Sequence, residues 1–112
     1  MPRDSRVYLE DILNAAASVR SYVEGLSREE FLRDPKTVDA VIRNLEIIGE
    51  AVKQLPPEVR HKAPDVEWQK IAGLRDVLIH AYSAVDPEIV WDVVANKLPA
   101  FVPRVRELLG EG

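Results

Sequence analysis

The chain contains no cysteine. That one absence removes disulfide scaffolds, thiolate zinc sites and a cysteine nucleophile together, and it fits a reducing cytoplasm. Histidine is scarce as well, with only His61 and His80 present. A metal site built on Glu46 and Glu50, one helical turn apart, therefore has little support, and salt bridging is the better reading of both; no metal or other cofactor is expected. Nowhere do about 18 apolar residues follow one another, and the N-terminal MPRDSRVYLED has no apolar run of signal-peptide length, so membrane spanning and export are not expected. Glycine-rich phosphate loops, hairpin punctuation, repeats and low-complexity tracts are missing too. Nor is there an excess of positive charge. A net charge of −4 argues against a broad electrostatic nucleic-acid binder, because phosphate contacts need a cationic face. Any nucleic-acid activity has to come from a local site.

What is present reads as helix. At 112 residues, 46% hydrophobic and 30% charged, the chain has a single-domain size, able to bury roughly two-thirds of the surface its unfolded form exposes. Leu9, Ile12, Leu13, Ala16, Val19 and Val23 form one helical stripe, which Gly25 ends where a left-handed C-cap suits glycine. Ser27-Arg28-Glu29-Glu30 has the pattern of a capping box opening a short helix through Phe31 and Leu32. Asp34-Pro35 places an N-cap acid before a first-turn proline. The helix it opens carries Val38, Val41, Leu45, Ile48, Val52 and Leu55 in three- and four-residue steps, until Pro56-Pro57 stops it. Gly49 inside that helix costs about 1 kcal/mol relative to alanine, so close approach of another backbone, from a neighbouring helix or a symmetry partner, is the expected compensation. Residues 57–67 read as a proline-punctuated connector with one helical turn. Trp68, Ile71, Leu74 and Leu78 then begin a further helix, and Asp86-Pro87 launches the last one, through Val90, Val94, Leu98, Phe101, Val105 and Leu108, with Pro99 and Pro103 expected to kink or divide it. The fold class implied for residues 1–112 is all-α, one up-and-down helical bundle of about four to five helices.

The stretch RDVLIHAY, Arg75 to Tyr82, sets a cation, an acid, an imidazole and a phenol among apolar residues. On a helix, Asp76 and His80 are neighbours one turn apart, where the carboxylate can hydrogen-bond the imidazole and favour its charged form. Arg75 and Tyr82, seven apart, lie nearly in line on a face displaced from His80 by a bit over a third of a turn. A second copy of the helix, related by a two-fold axis, would bring both sets together more easily than one copy can. An imidazole beside a guanidinium suits phosphodiester chemistry. The imidazole moves protons on and off oxygen near neutral pH, while the guanidinium binds phosphate at two points and stabilises developing charge. With RNA the neighbouring 2′-hydroxyl is the nucleophile, so neither a metal nor a protein nucleophile is required.

Arg75, four residues, His80, one residue, Tyr82 resembles the R-x4-H-x-Y signature of HEPN-domain proteins, and specifically of the HepT-like family. Three residues are a weak match alone. The likeness extends to LEDIL (9–13), to DAVIRNLEIIGEAVK (Asp39 to Lys53), to WQKIAGLR (Trp68 to Arg75) and to VDPEIVW (Val85 to Trp91), which together span nearly the whole chain. What the resemblance implies is a HEPN ribonuclease, the toxin half of a toxin-antitoxin pair whose antitoxin is a minimal nucleotidyltransferase. It also implies a cytoplasmic homodimer with the Arg and His of both protomers facing one cleft. Carried over residue by residue, Arg75 and His80 become the catalytic pair and Tyr82 the tyrosine that the partner modifies with AMP. Asp76 stands where asparagine is usual in the family. Its negative charge beside a phosphate site is expected to oppose RNA binding.

Each of these residues also has a plainer reading. A lone histidine on an apolar helix is more often a hydrogen-bonded core residue than a catalyst. Arg75 could pair with Asp76 or another acid, and Tyr82 could pack with its hydroxyl at the rim. His61 reads as solvated surface, Trp68 and Trp91 as packing residues. Two functions follow from these alternatives: a ribonuclease toxin, favoured by the intact Arg, His and Tyr, and a non-catalytic helical adaptor binding a nucleotidyltransferase or a nucleotide, favoured by the acidic composition.

Overall fold

In the computed structural model the described residues are 4–80 and 85–110, and for Arg75 and residues 77–80 the description covers the backbone alone. All the elements among them are helical: α1 (Ser5–Val23), α2 (Arg28–Leu32), α3 (Pro35–Gln54), α4 (Pro57–Arg60), α5 (Trp68–His80), α6 (Pro87–Asp92) and, after a π turn over Val93–Lys97, α7 (Leu98–Leu108). Four long bodies result, α1, α3, α5 and the broken helix α6–α7, with α2 and α4 as single turns between them.

The boundaries follow from local chemistry. Asp4 caps α1 by accepting from the Arg6 amide at 2.9 Å, and Gly25 ends that helix's exit turn at φ +80°, a conformation that costs glycine little. Ser27 Oγ accepts from the Glu30 amide at 3.1 Å while Glu30 Oε1 accepts from the Ser27 amide at 2.9 Å, which completes the expected capping box. The bond from the Ser27 backbone, and after it the Ser27 side chain, hold the Glu30 carboxyl below its ordinary range. Asp34 caps α3 through the Thr37 hydroxyl at 2.7 Å and the Thr37 amide at 3.2 Å, and these lower its pKa in the same order. The last helix divides where proline demands it. Pro99 has no N–H to give, and its ring would crowd the carbonyl four residues back; the wider π turn over Val93–Lys97 opens the ladder just before it. Pro103, by contrast, sits inside α7 without ending it.

Packing is organised around α3, which lies against both α1 and α5. Its buried residues Val38, Val41, Leu45, Ile48, Ala51 and Val52 meet Leu9, Ile12, Ala16 and Val19 of α1 in one apolar core. Gly49 is buried on the same helix. Among the described residues no polar or charged side chain is buried, so the core rests on apolar area and shape alone. α2 closes one side: Phe31, fully buried, meets Trp91 with ring centroids 5.2 Å apart, and Arg28 pairs with Glu88. α7 returns along α1 through the buried Phe101 and Val105. No helix among the described residues is long and apolar enough to cross a membrane.

Candidate functional site

α5 is the helix that carries the RDVLIHAY segment, and what seats it can be followed from its first residue. Trp68 is buried, with 7% of its surface exposed, and its indole N–H donates to the carbonyls of Ala63 at 3.0 Å and Arg60 at 3.1 Å. The same ring meets Phe101 of α7 edge-on, with centroids 5.6 Å apart and planes 76° apart. One side chain thereby ties the start of α5 to the connector before it and to the last helix. On the solvent side of this first turn Lys70 bridges to Glu67 at 2.7 Å, a contact that lowers the Glu67 pKa and raises that of Lys70. Ile71, Ala72 and Leu74 follow, each only half-buried against the core.

Past Leu74 come Arg75 and Asp76, then Val77, Leu78 and Ile79, and then His80. Arg75 and His80 both lie on the α5 backbone, with His80 as its last residue. The side chains of these two, and the whole of Tyr82, lie outside the described residues. Asp76 is described, and it does something the sequence did not announce: its Oδ1 accepts from the Nζ of Lys53 at 2.8 Å, across the interface from the last turn of α3. The expected Asp76–His80 hydrogen bond within α5 cannot be compared with this, since the imidazole is not described. Lys53 belongs to the DAVIRNLEIIGEAVK run, yet periodicity assigns it only to the solvent side of α3. A contact between helices 23 residues apart in sequence has no local signature.

The other carboxylates on α3 behave as salt-bridge and surface groups. Glu46 lies 3.9 Å from Arg43, and Glu50 accepts from Gln54 at 3.3 Å. Among the described residues no group of three or more histidines and acids gathers to hold a metal ion. His61 is exposed on the connector and Trp91 packs on Phe31, as the sequence suggested. An open cavity of about 450 Å³ lies between the connector and the end of α7, lined by Lys62, Arg104, Glu107 and Leu108 among others, and no residue of α5 contributes to it. Its guanidinium is already claimed by Asp65 at 2.7 Å and by Glu107.

The model of the family described as Ribonuclease HepT-like matches residues 12–108, nearly the full length of the bundle. The chain belongs to that family. This HepT-like chain is 44% identical over 110 residues to the protein named "Putative RNase MJ0127" from Methanocaldococcus jannaschii, covering 97% of this chain and 91% of that one. It is 40% identical over 108 residues to "Probable ribonuclease HepT" from Thermococcus cleftensis, covering 96% and 98% respectively. No solved structure matches it. The HepT-like match includes α3 and α5 whole, so Lys53, Arg75, Asp76 and His80 all fall inside the matched residues.

If the Trp68 indole N–H seats α5, Trp68→Phe keeps most of the ring volume and removes that donor, while the Arg60 and Ala63 carbonyls keep the backbone N–H groups of Ala63 and Val66. The expected cost is about 0.5–1.5 kcal/mol, read as a lower urea midpoint at unchanged m-value and unchanged helical circular dichroism. An unchanged midpoint would show that the ring's packing alone holds the helix.

Proposed function

We propose that this chain is a metal-independent ribonuclease whose catalytic pair is Arg75 and His80, acting as the toxin of a toxin-antitoxin pair. The observation that carries the reading is the R-x4-H-x-Y pattern of Arg75, His80 and Tyr82 in the sequence, its first two residues on α5, in a chain of the ribonuclease HepT-like family. The names of the relatives point the same way.

The chemistry assigns each group one task. The His80 imidazole takes the proton of an RNA 2′-hydroxyl, and that oxygen attacks the adjacent phosphorus. A bond from the 2′-oxygen to phosphorus forms, the bond from phosphorus to the 5′-oxygen breaks, and the departing oxygen takes a proton. The Arg75 guanidinium binds the non-bridging oxygens at two points and stabilises the charge that builds on them. One imidazole accepting and another donating suits a homodimer with both helices at one cleft, since a two-fold axis supplies the second Arg75 and His80. The neutralising partner is a minimal nucleotidyltransferase. The Tyr82 phenolic oxygen attacks the α-phosphate of ATP, pyrophosphate leaves, and the attached AMP sets a phosphate against the guanidinium.

His80→Ala should lower RNA cleavage by about 10²- to 10⁴-fold, the usual yield of general acid-base catalysis, with the fold intact. Arg75→Ala should do comparable damage. Arg75→Lys should rescue only partly, because an ammonium cannot reproduce the planar two-point contact. Addition of EDTA should change nothing. Equal cleavage by wild type and His80→Ala would remove the nuclease and leave the adaptor, which the net charge of −4 favours.

The assembly and the partner have a joint readout. Light scattering at micromolar concentration should give twice the protomer mass, and incubation with the cognate nucleotidyltransferase and ATP should add one AMP to Tyr82 by mass spectrometry as activity falls. A strictly monomeric mass would count against the shared cleft. Loss of activity with Tyr82 unmodified would make steric binding the better account of neutralisation.

A further inference from the structure

The sequence raises a problem that the fold answers. An aspartate directly after Arg75 and one turn before His80 puts a negative charge next to the place where a phosphate has to sit. Like charges at this range repel, and at a half-exposed site water screens the repulsion only partly. A chain with a net charge of −4 has no general positive field to offset it. The offset is local instead, and it comes from another helix: Lys53 Nζ lies 2.8 Å from Asp76 Oδ1.

We propose that Lys53 is a positioning residue for the phosphate site, its ammonium holding and neutralising the Asp76 carboxylate so that the acid beside Arg75 does not repel RNA. The proposal rests on the ribonuclease reading given above. Stability is a poor explanation of the pair. The two side chains are 37% and 44% exposed, and exposed ion pairs contribute little because solvent screens the attraction and both side chains lose freedom. Such a pair can still decide the sign of the potential within a Debye length of about 8 Å. The geometry adds a second effect. The bond also draws the Asp76 carboxylate toward α3. Lys53 is itself fixed at the right place, in the last turn of α3, where a cation also complements the helix's C-terminal carbonyls.

The test is a double-mutant cycle on the full chain with Lys53→Met, Asp76→Asn and the two combined, plus Lys53→Arg as the conservative variant. Two readouts are taken: cleavage of a short RNA, and binding of the same sequence in uncleavable 2′-O-methyl form. Lys53→Met should weaken binding and raise KM by roughly three- to tenfold while kcat and the melting temperature hold, and the loss should shrink as salt rises. Lys53→Arg should restore binding. In the Asp76→Asn background the same Lys53→Met change should cost no more than about a factor of two, since no carboxylate remains to be neutralised. An equal loss in both backgrounds would mean that Lys53 acts on RNA directly, and no loss in either would leave the bridge without a role; each overturns the proposal. Cleavage that depends on His80 but shows no Lys53–Asp76 coupling defeats this proposal alone. Coupling in binding without cleavage defeats the ribonuclease reading alone. Failure of the wild type to bind RNA overturns both.

Discussion

A helix that presents a cation, an acid and an imidazole among its apolar residues has to be held at a fixed place, and α5 is seated by groups outside it. At its start the seat is an indole: the Trp68 N–H is shared between two carbonyls of the preceding connector, and the ring's edge rests on Phe101. Along its middle the contacts are half-buried, Ile71, Ala72 and Leu74 lying on the core without entering it. Near its end the contact is ionic, Lys53 to Asp76. Among the described side chains of α5, half-buried apolar contacts are thus flanked by hydrogen bonding at Trp68 and by charge at Asp76.

α3 makes this arrangement possible by having two different faces. One is a run of Val, Leu, Ile and Ala pressed on α1 and buried in the core. The other carries Glu46, which faces Arg43, Glu50, which accepts from Gln54, and Lys53, which reaches α5. The spine of the bundle is also the wall of the candidate site. Displacing α3 would disturb both together, which gives the site a dependence on core packing although neither Lys53 nor Asp76 is buried.

Much of this was legible in the sequence because it is encoded locally. Ser27 with Glu30, Asp34 with Pro35, and Asp86 with Pro87 each specify a helix start within four residues, and each start lies where those residues put it. The apolar steps of α1 and α3 identify the buried faces for the same reason. Prolines were legible in kind but not in degree. Pro99 stands at the start of α7 just after the π turn, while Pro103 is absorbed within α7, a difference the sequence expectation for the two prolines did not draw. The role of Lys53 was hidden for a stronger reason. Its partner is 23 residues away on another helix, and nothing in either residue's neighbours points to the other. Asp76 read alone looks like a handicap; read with Lys53 it is half of a neutral pair.

The account comes down to the claim that the groups on α5 cleave RNA by transferring protons around a 2′-hydroxyl attack, a mechanism that fits a chain of the ribonuclease HepT-like family with no cysteine. The ends of the product strands test that claim most directly, because the attacking oxygen stays in the product. Mass spectrometry of an RNA cut by the purified chain should find a 2′,3′-cyclic phosphate on one fragment and a free 5′-hydroxyl on the other, and no cut at a linkage whose 2′-hydroxyl is replaced by hydrogen. Fragments ending in 3′-hydroxyl and 5′-phosphate, or cleavage at the 2′-deoxy linkage, would contradict it.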